Sequence, residues 1–126
     1  MPAPLGQGPI EQFWTGGVIN ALKRDNLTAN AGGGQANALA LLALINRVTT
    51  VATAADSVKL PAARPANVGM ELYVINAAAA NSMNVFPSTG DQINALGANA
   101  AFAMAANKVA SFICTGTGQW HSQLTA

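Results

Sequence analysis

The chain of 126 residues has few charged side chains: Asp, Glu, Lys and Arg together make up 9% of it, whereas about 25% is typical of a soluble domain. Alanine, glycine, asparagine, threonine and serine replace them, rather than one long apolar run. An isolated soluble domain usually covers its surface with charges of both signs. The neutrality of this chain therefore predicts a surface that is largely hidden against other subunits, as in a component of a larger assembly.

Basic clusters and long apolar segments are also missing. The formal net charge is +1, and Lys23 and Arg24 form the one adjacent basic pair, so the basic patch that a phosphate-binding surface needs is absent. The longest apolar stretch, residues 36–45, contains Asn37 and is about half as long as a membrane-spanning helix. We therefore expect neither a nucleic acid nor a membrane as partner.

Cysteine and histidine occur once each. Cys114 has no partner for an internal disulfide, so the protein is made in a reducing compartment or does not depend on oxidation. Because Cys114 lies in an apolar segment, we expect a buried and unreactive thiol. Five scattered acidic residues and one histidine argue against a metal site within one chain. Three His121 or three Asp91 residues around a threefold axis remain an alternative site for an ion, but we predict no metal and no cofactor.

The residue types of a hydrolase triad are present without its motif. His121 has Ser122 beside it, and Ser111 and Asp91 are the other candidates, but no Gly-x-Ser-x-Gly segment surrounds either serine. The glycines at 116 and 118 lack the lysine and the strand–turn–helix setting of a phosphate-binding loop, so they indicate a turn. We predict that the protein is not an enzyme and has no catalytic residues.

Residues 1–34 are predicted to form an extended N-terminal arm. The first nine residues include three prolines and two glycines, a composition without a core of its own. Neither a basic leader nor the apolar centre of a secretory signal is present there. The segment that follows is rich in apolar residues but is interrupted by a Gly-Gly pair. A tryptophan next to a phenylalanine on such a segment is typical of an interface anchor, and the candidate partner-docking residues are Phe13, Trp14, Ile19 and Leu22.

Residues 35–126 are predicted to form an all-β domain. Short runs rich in Val, Ile, Thr and Phe alternate with turn residues, and they lie at 47–51, 57–60, 70–76, 82–86, 102–104, 108–114 and 119–124. Alternation within 70–76 and 108–114 places one set of side chains on each face of its strand. We expect a compact antiparallel β-sandwich or small barrel of about eight or nine short strands.

One segment of this domain fits two structures. Residues 36–45 consist mainly of Ala and Leu, which are strong helix formers. The larger residues alternate with alanines, however, and β-branched residues follow directly. We favour a strand and keep the helix as the alternative.

From residue 46 onward the chain resembles small structural proteins of tailed bacteriophages and prophages. The phrases that carry the resemblance are Asn-Arg-Val-Thr-Thr-Val at 46–51, Val-Lys-Leu-Pro at 58–61, Val-Ile-Asn-Ala at 74–77, Asn-Val-Phe-Pro at 84–87, Gly-Asp-Gln-Ile-Asn-Ala-Leu-Gly at 90–97 and Gly-Gln-Trp-His at 118–121. They cover about the last two thirds of the chain, and the N-terminal forty residues depart from them. The resemblance implies a β-rich module that forms trimers on a capsid surface or in a tail appendage.

We therefore expect a capsid decoration (cement) protein, a virion structural protein made in the host cytoplasm. Its partners would be two further copies of itself and the major capsid protein, and it would stabilise the outer surface of the phage head. The alternative is a module of a tail fibre, spike or baseplate that binds the host surface. Tyr73 and Glu71, two positions apart on one predicted strand, are the closest pair of aromatic and acidic residues for a sugar site.

Overall fold

A computed structural model describes residues 22–32 and 34–125 of the chain. This part is mostly β, with 47% of residues in strands, together with one single-turn α-helix (α1) and a 3₁₀ turn at Pro65–Asn67. The helix spans Gly34–Asn37, so no helix of the described part is long enough to cross a membrane. The strands are β1 (Lys23–Thr28), β2 (Leu39–Ala40), β3 (Ile45–Thr50), β4 (Ser57–Lys59), β5 (Glu71–Asn76), β6 (Met83–Phe86), β7 (Gln92–Ile93), β8 (Phe102–Met104), β9 (Lys108–Gly116) and β10 (Gln119–Leu124).

The strands form two mixed sheets. The large sheet has the order β1-β3-β5-β9-β10-β7, and the small sheet has the order β2-β4-β6-β8. From β1 to β6 the chain alternates between the sheets, and each new strand lies parallel to the previous strand of its own sheet. Parallel neighbours need a crossover connection, and here the strand of the other sheet supplies it. The first half of the domain is therefore wound as a coil, and antiparallel strands β8, β9 and β10 follow it.

This winding differs from the antiparallel pairing that the sequence predicts. Within the described residues, five strand pairings are parallel and three are antiparallel. The strand positions themselves agree with the prediction to within about two residues, apart from β1, β2 and β7. The sequence could not predict whether neighbouring strands are parallel or antiparallel, because the alternating pattern is the same in both cases.

Buried side chains from both sheets form one hydrophobic core. The predicted alternation is confirmed: Leu72, Val74 and Asn76 of β5 are buried. In β9, Ala110, Phe112 and Cys114 are likewise fully buried. The rings of Phe102 in the small sheet and Phe112 in the large sheet meet edge to face, with centroids 5.4 Å apart. Such a contact adds to simple area burial and joins the two sheets.

Asparagine makes many of the tight turns. Five asparagines have a positive φ, in the left-handed region that asparagine tolerates better than most other residues with a side chain: Asn26, Asn81, Asn94, Asn99 and Asn107. Asn81 also donates its side-chain amide to Val51 O at 2.8 Å, which ties the β5–β6 turn to the end of β3. Four of these five asparagines lie between strands, whereas Asn26 lies within β1.

The segment 36–45 is neither one strand nor one helix. Residues 36 and 37 end the helix α1, Leu39 and Ala40 form β2, and residues 41–44 form a loop that leads into β3. The Leu41 amide donates to Lys59 O at 2.9 Å, and Leu39 pairs with Val58. Pairing with β4 thus overrides the helical propensity of the Ala-Leu run.

The large sheet begins inside the predicted arm. Strand β1 lies at residues 23–28, within the 1–34 segment, and pairs with β3 in parallel. Its sequence is largely polar, which is why its pattern did not indicate a strand. Of the candidate docking residues, Leu22 is half-buried next to β1, whereas Phe13, Trp14 and Ile19 lie outside the described residues.

Candidate functional site

The outward side of the large sheet is a continuous surface of the described chain. Along its central strands, residues with exposed or half-exposed side chains alternate with core residues. We call this surface the outer face, and it comprises Ile45, Arg47, Glu71, Tyr73, Ile75, Val109, Ser111, Ile113, Thr115, His121 and Gln123.

The centre of the outer face is apolar. Ile45, Tyr73 and Ile113 are each 40% exposed. Ile45 lies beside Tyr73 in the parallel β3–β5 pair, and Ile75 lies beside Val109 in the antiparallel β5–β9 pair. These registers bring apolar side chains of β3, β5 and β9 together, whereas Ile113 lies between Glu71 and His121 of the neighbouring strands. An apolar centre with an aromatic residue is typical of the core of a protein interface.

A shallow depression marks one end of this centre. Its volume is about 150 Å³, and it is lined by Tyr73, Val109, Ser111, Gln123, Leu124 and Thr125. The Tyr73 hydroxyl donates to Glu71 Oε2 at 3.4 Å, so this pair shares an exposed strand face, as the alternation predicted. The depression is too small to enclose a drug-sized molecule, for which about 300–1,000 Å³ is usual.

Charge on the outer face is concentrated at the edge next to β1. Arg47 Nη1 lies 2.9 Å from Asp25 Oδ1, and Lys23 Nζ lies 3.9 Å from Asp25 Oδ2. The hydrogen bond from Arg47 is the main cause that holds the pKa of Asp25 below its usual value, and the amide of Asn26 adds to it. Arg47 also lies beside Ile75, and Glu71 lies beside Ile113, so both charged residues border the apolar side chains of the face.

The candidate residues for a hydrolase triad form hydrogen bonds to different partners. His121 Nδ1 lies 2.7 Å from Thr115 Oγ1 on the outer face. The Ser122 hydroxyl accepts from Asn94 Nδ2 at 2.8 Å, and Asp91 Oδ2 accepts from the Ala63 amide at 2.8 Å. Asp91 therefore holds a loop, and His121 is an outer-face residue. These hydrogen bonds do not build a nucleophile–base–orienter chain.

Cys114 is a core residue, as its sequence setting predicted. It is fully buried, and burial raises the pKa of its thiol above the ordinary value. Its Sγ lies 3.6 Å from Gly116 O. A thiol of this kind is largely protonated at neutral pH and reacts slowly. Within residues 22–32 and 34–125, no group of three or more His, Cys, Asp or Glu side chains could hold a metal ion.

A second apolar feature lies where β1, β3 and β5 begin. This apolar groove has a volume of about 310 Å³ and is lined by Leu22, Leu41, Leu42, Ala43, Leu44, Pro61, Met70 and Leu72. Leu42 is 72% exposed and stands at the rim. Asn46 Nδ2 donates to Ala43 O at 2.7 Å and to Tyr73 O at 3.2 Å, which fixes the 41–44 loop against β5. The groove was not predicted from the sequence, because the pattern of this leucine-rich segment favoured a strand.

Comparison of the chain with protein-family models, with curated proteins and with solved structures finds no match. The resemblance to phage structural proteins therefore rests on the phrases quoted above.

Proposed function

We propose that this protein is a capsid decoration protein of a tailed phage, a virion structural protein that works as a trimer. The observation that carries the proposal is the outer face, a broad sheet surface with exposed apolar and aromatic side chains near its centre. Interfaces between proteins are depleted of charge at their core and enriched in apolar and aromatic side chains. The two mixed sheets around one core also support the sandwich architecture expected from the sequence.

The edges of the sheets support association through the face rather than through added strands. Edge strand β1 includes the charged residues Lys23, Arg24 and Asp25, and its pairing with β3 has register shifts near Asn26. The other edge strands, β7, β2 and β8, have two or three residues each. Short, charged or bulged edges oppose edge-to-edge pairing. We therefore assign the contacts between copies to the outer face.

In this proposal the N-terminal segment attaches the trimer to the major capsid protein. Phe13 and Trp14 supply the apolar side chains that insert between capsid subunits. Three segments on one trimer act together, because binding of the first raises the effective concentration of the others. The decoration protein then resists the pressure of packaged DNA by adding buried contact area across neighbouring capsid subunits.

The test is binding to capsids of the virus whose genome encodes the chain, prepared without this protein. Replacing both Phe13 and Trp14 by alanine is expected to weaken binding at least about thirtyfold, equivalent to about 2 kcal/mol for the loss of an interface anchor. Co-sedimentation over a range of protein concentrations measures the change. The control is Leu96→Ala, since Leu96 is exposed and lies outside the outer face. Equal binding of the double variant and the control would contradict the role of the two residues.

The hydrogen-bonded pair Tyr73 and Glu71 favours a second candidate, a host-surface module of a tail fibre, spike or baseplate. An aromatic ring beside an acid on an exposed face is an arrangement in which a sugar could stack and donate hydrogen bonds. Screening the protein against bacterial surface glycans tests this candidate. This candidate function predicts that a glycan binds to the wild-type protein and no longer binds to Tyr73→Ala. Glycan binding that survives this substitution would exclude a site at Tyr73.

A further inference from the structure

The apolar groove lies where the chain leaves the described domain toward its N-terminus. Leu22 lines the groove and is the first described residue after the 1–21 segment. Its carbonyl oxygen accepts from the Leu44 amide at 3.0 Å and from the Ile45 amide at 3.1 Å. Two hydrogen bonds thus fix the backbone of Leu22 at the groove wall, so the preceding residues must start there.

The groove has an apolar floor and rim. Leu41 and Leu72 are almost fully buried and form the floor, whereas Leu42 and Leu44 are 72% and 37% exposed. The volume of about 310 Å³ is comparable with that of about ten water molecules at roughly 30 Å³ each. This volume suits two branched aliphatic side chains better than water, because the lining side chains offer water few hydrogen-bond partners.

The sequence directly upstream supplies two such side chains. Val18 and Ile19 precede Leu22 by four and three residues. Even a fully extended chain reaches at most about 3.3–3.6 Å per residue, so both lie within about 14 Å of Leu22. The segment between them and Leu22 contains no proline and no charged residue, and nothing in its composition prevents it from following an apolar surface.

We propose that the apolar groove binds Val18 and Ile19 of the same chain. A tether of three residues keeps the segment at an effective concentration in the millimolar range or above, which favours the same chain over a second copy. The groove then holds the segment that carries Phe13 and Trp14 close to the domain. The relevance of this contact to capsid binding rests on the proposed docking role of Phe13 and Trp14, whereas the contact itself does not depend on it.

Hydrogen exchange of the full chain without capsids tests the contact. In the wild-type protein, the amides of residues 18–21 are expected to exchange at least about tenfold more slowly than in an unprotected peptide. Leu42→Asp places a charge at the groove rim and is expected to remove this protection. Since Leu42 is 72% exposed, this substitution leaves the core intact. The matched control is Leu96→Asp, also at an exposed leucine, which is expected to retain the protection.

Two results would overturn the proposal: unprotected amides in the wild-type protein, or protection that persists in Leu42→Asp. A disulfide experiment identifies which chain fills the groove. In the variant Ile19→Cys with Leu42→Cys, oxidation is expected to give an intrachain disulfide that runs as a single chain on a denaturing gel. Disulfide-linked dimers would show instead that the segment comes from another copy. Neither readout involves capsids, so a failure here is distinct from a failure of the proposed function.

Discussion

Replacing Trp120 by alanine is expected to lower the free energy of unfolding by about 3–5 kcal/mol, the range for truncating a large aromatic residue in a core. Trp120 is fully buried. It pairs with Cys114 of β9 and with Ile93 of β7, and its carbonyl oxygen accepts from the Asn94 amide at 2.8 Å. The side chain therefore fills the core where three strands of the large sheet meet.

The control for this prediction is Trp120→Phe. Trp120 Nε1 has no hydrogen-bond partner among the described residues, so phenylalanine removes no hydrogen bond and leaves a smaller cavity. We expect a loss of about 1–2 kcal/mol for this variant. Denaturant unfolding at one fixed protein concentration measures both changes, because the stability of an oligomer depends on concentration. Equal losses in the two variants would show that the indole does not fill a tightly packed core site.

Replacing Asn76 by alanine is expected to lower the free energy of unfolding by about 3 kcal/mol, even though asparagine is polar. Asn76 is fully buried at the end of β5. Its Nδ2 donates to Met104 O at 3.1 Å and to Asn81 O at 3.2 Å, and its Oδ1 accepts from the Ala78 amide at 3.2 Å. Alanine would leave these backbone groups without their partner, and each buried unsatisfied group costs about 1–3 kcal/mol.

Asn84→Ala is the control for Asn76→Ala. Asn84 lies on β6 with a half-buried side chain, and its backbone amide, which the substitution keeps, donates to Asp56 O. We expect a loss below about 1 kcal/mol for this variant. Denaturant unfolding at the same protein concentration compares the two asparagines. A loss of similar size at both positions would contradict the specific role of the Asn76 hydrogen bonds.

The sequence predicts the β class and most strand positions because the strands that face the core alternate strictly. β5 and residues 110–114 of β9 are the clearest cases, since every second residue is buried there. β1 and β7 could not be found in the same way. β1 is polar, and β7 has two residues, so their places in the sheet come from pairing with β3 and β10 rather than from a local pattern.

The outer face could be predicted from the sequence in part, whereas the apolar groove could not. The outward positions of β5 and β9 follow from alternation, so Tyr73 and Ile113 could be placed on the solvent side in advance. The closeness of Tyr73 to Ile45 could not be predicted, because it depends on the parallel register between β3 and β5. The groove depends on a loop at 41–44 whose shape is fixed by hydrogen bonds from Asn46 to Ala43 O and Tyr73 O. No local pattern encodes such tertiary contacts.

The native mass of the purified full chain tests whether copies associate through the outer face. We expect one species at three times the chain mass of 12.8 kDa. Ile113→Asp is expected to shift it to a lower mass without changing the circular dichroism spectrum, because it buries a second carboxylate beside Glu71 in the interface. Leu96→Asp, outside the outer face, is expected to retain the trimer. A monomer at all concentrations, or a trimer that Ile113→Asp leaves intact, would show that copies do not associate through the outer face.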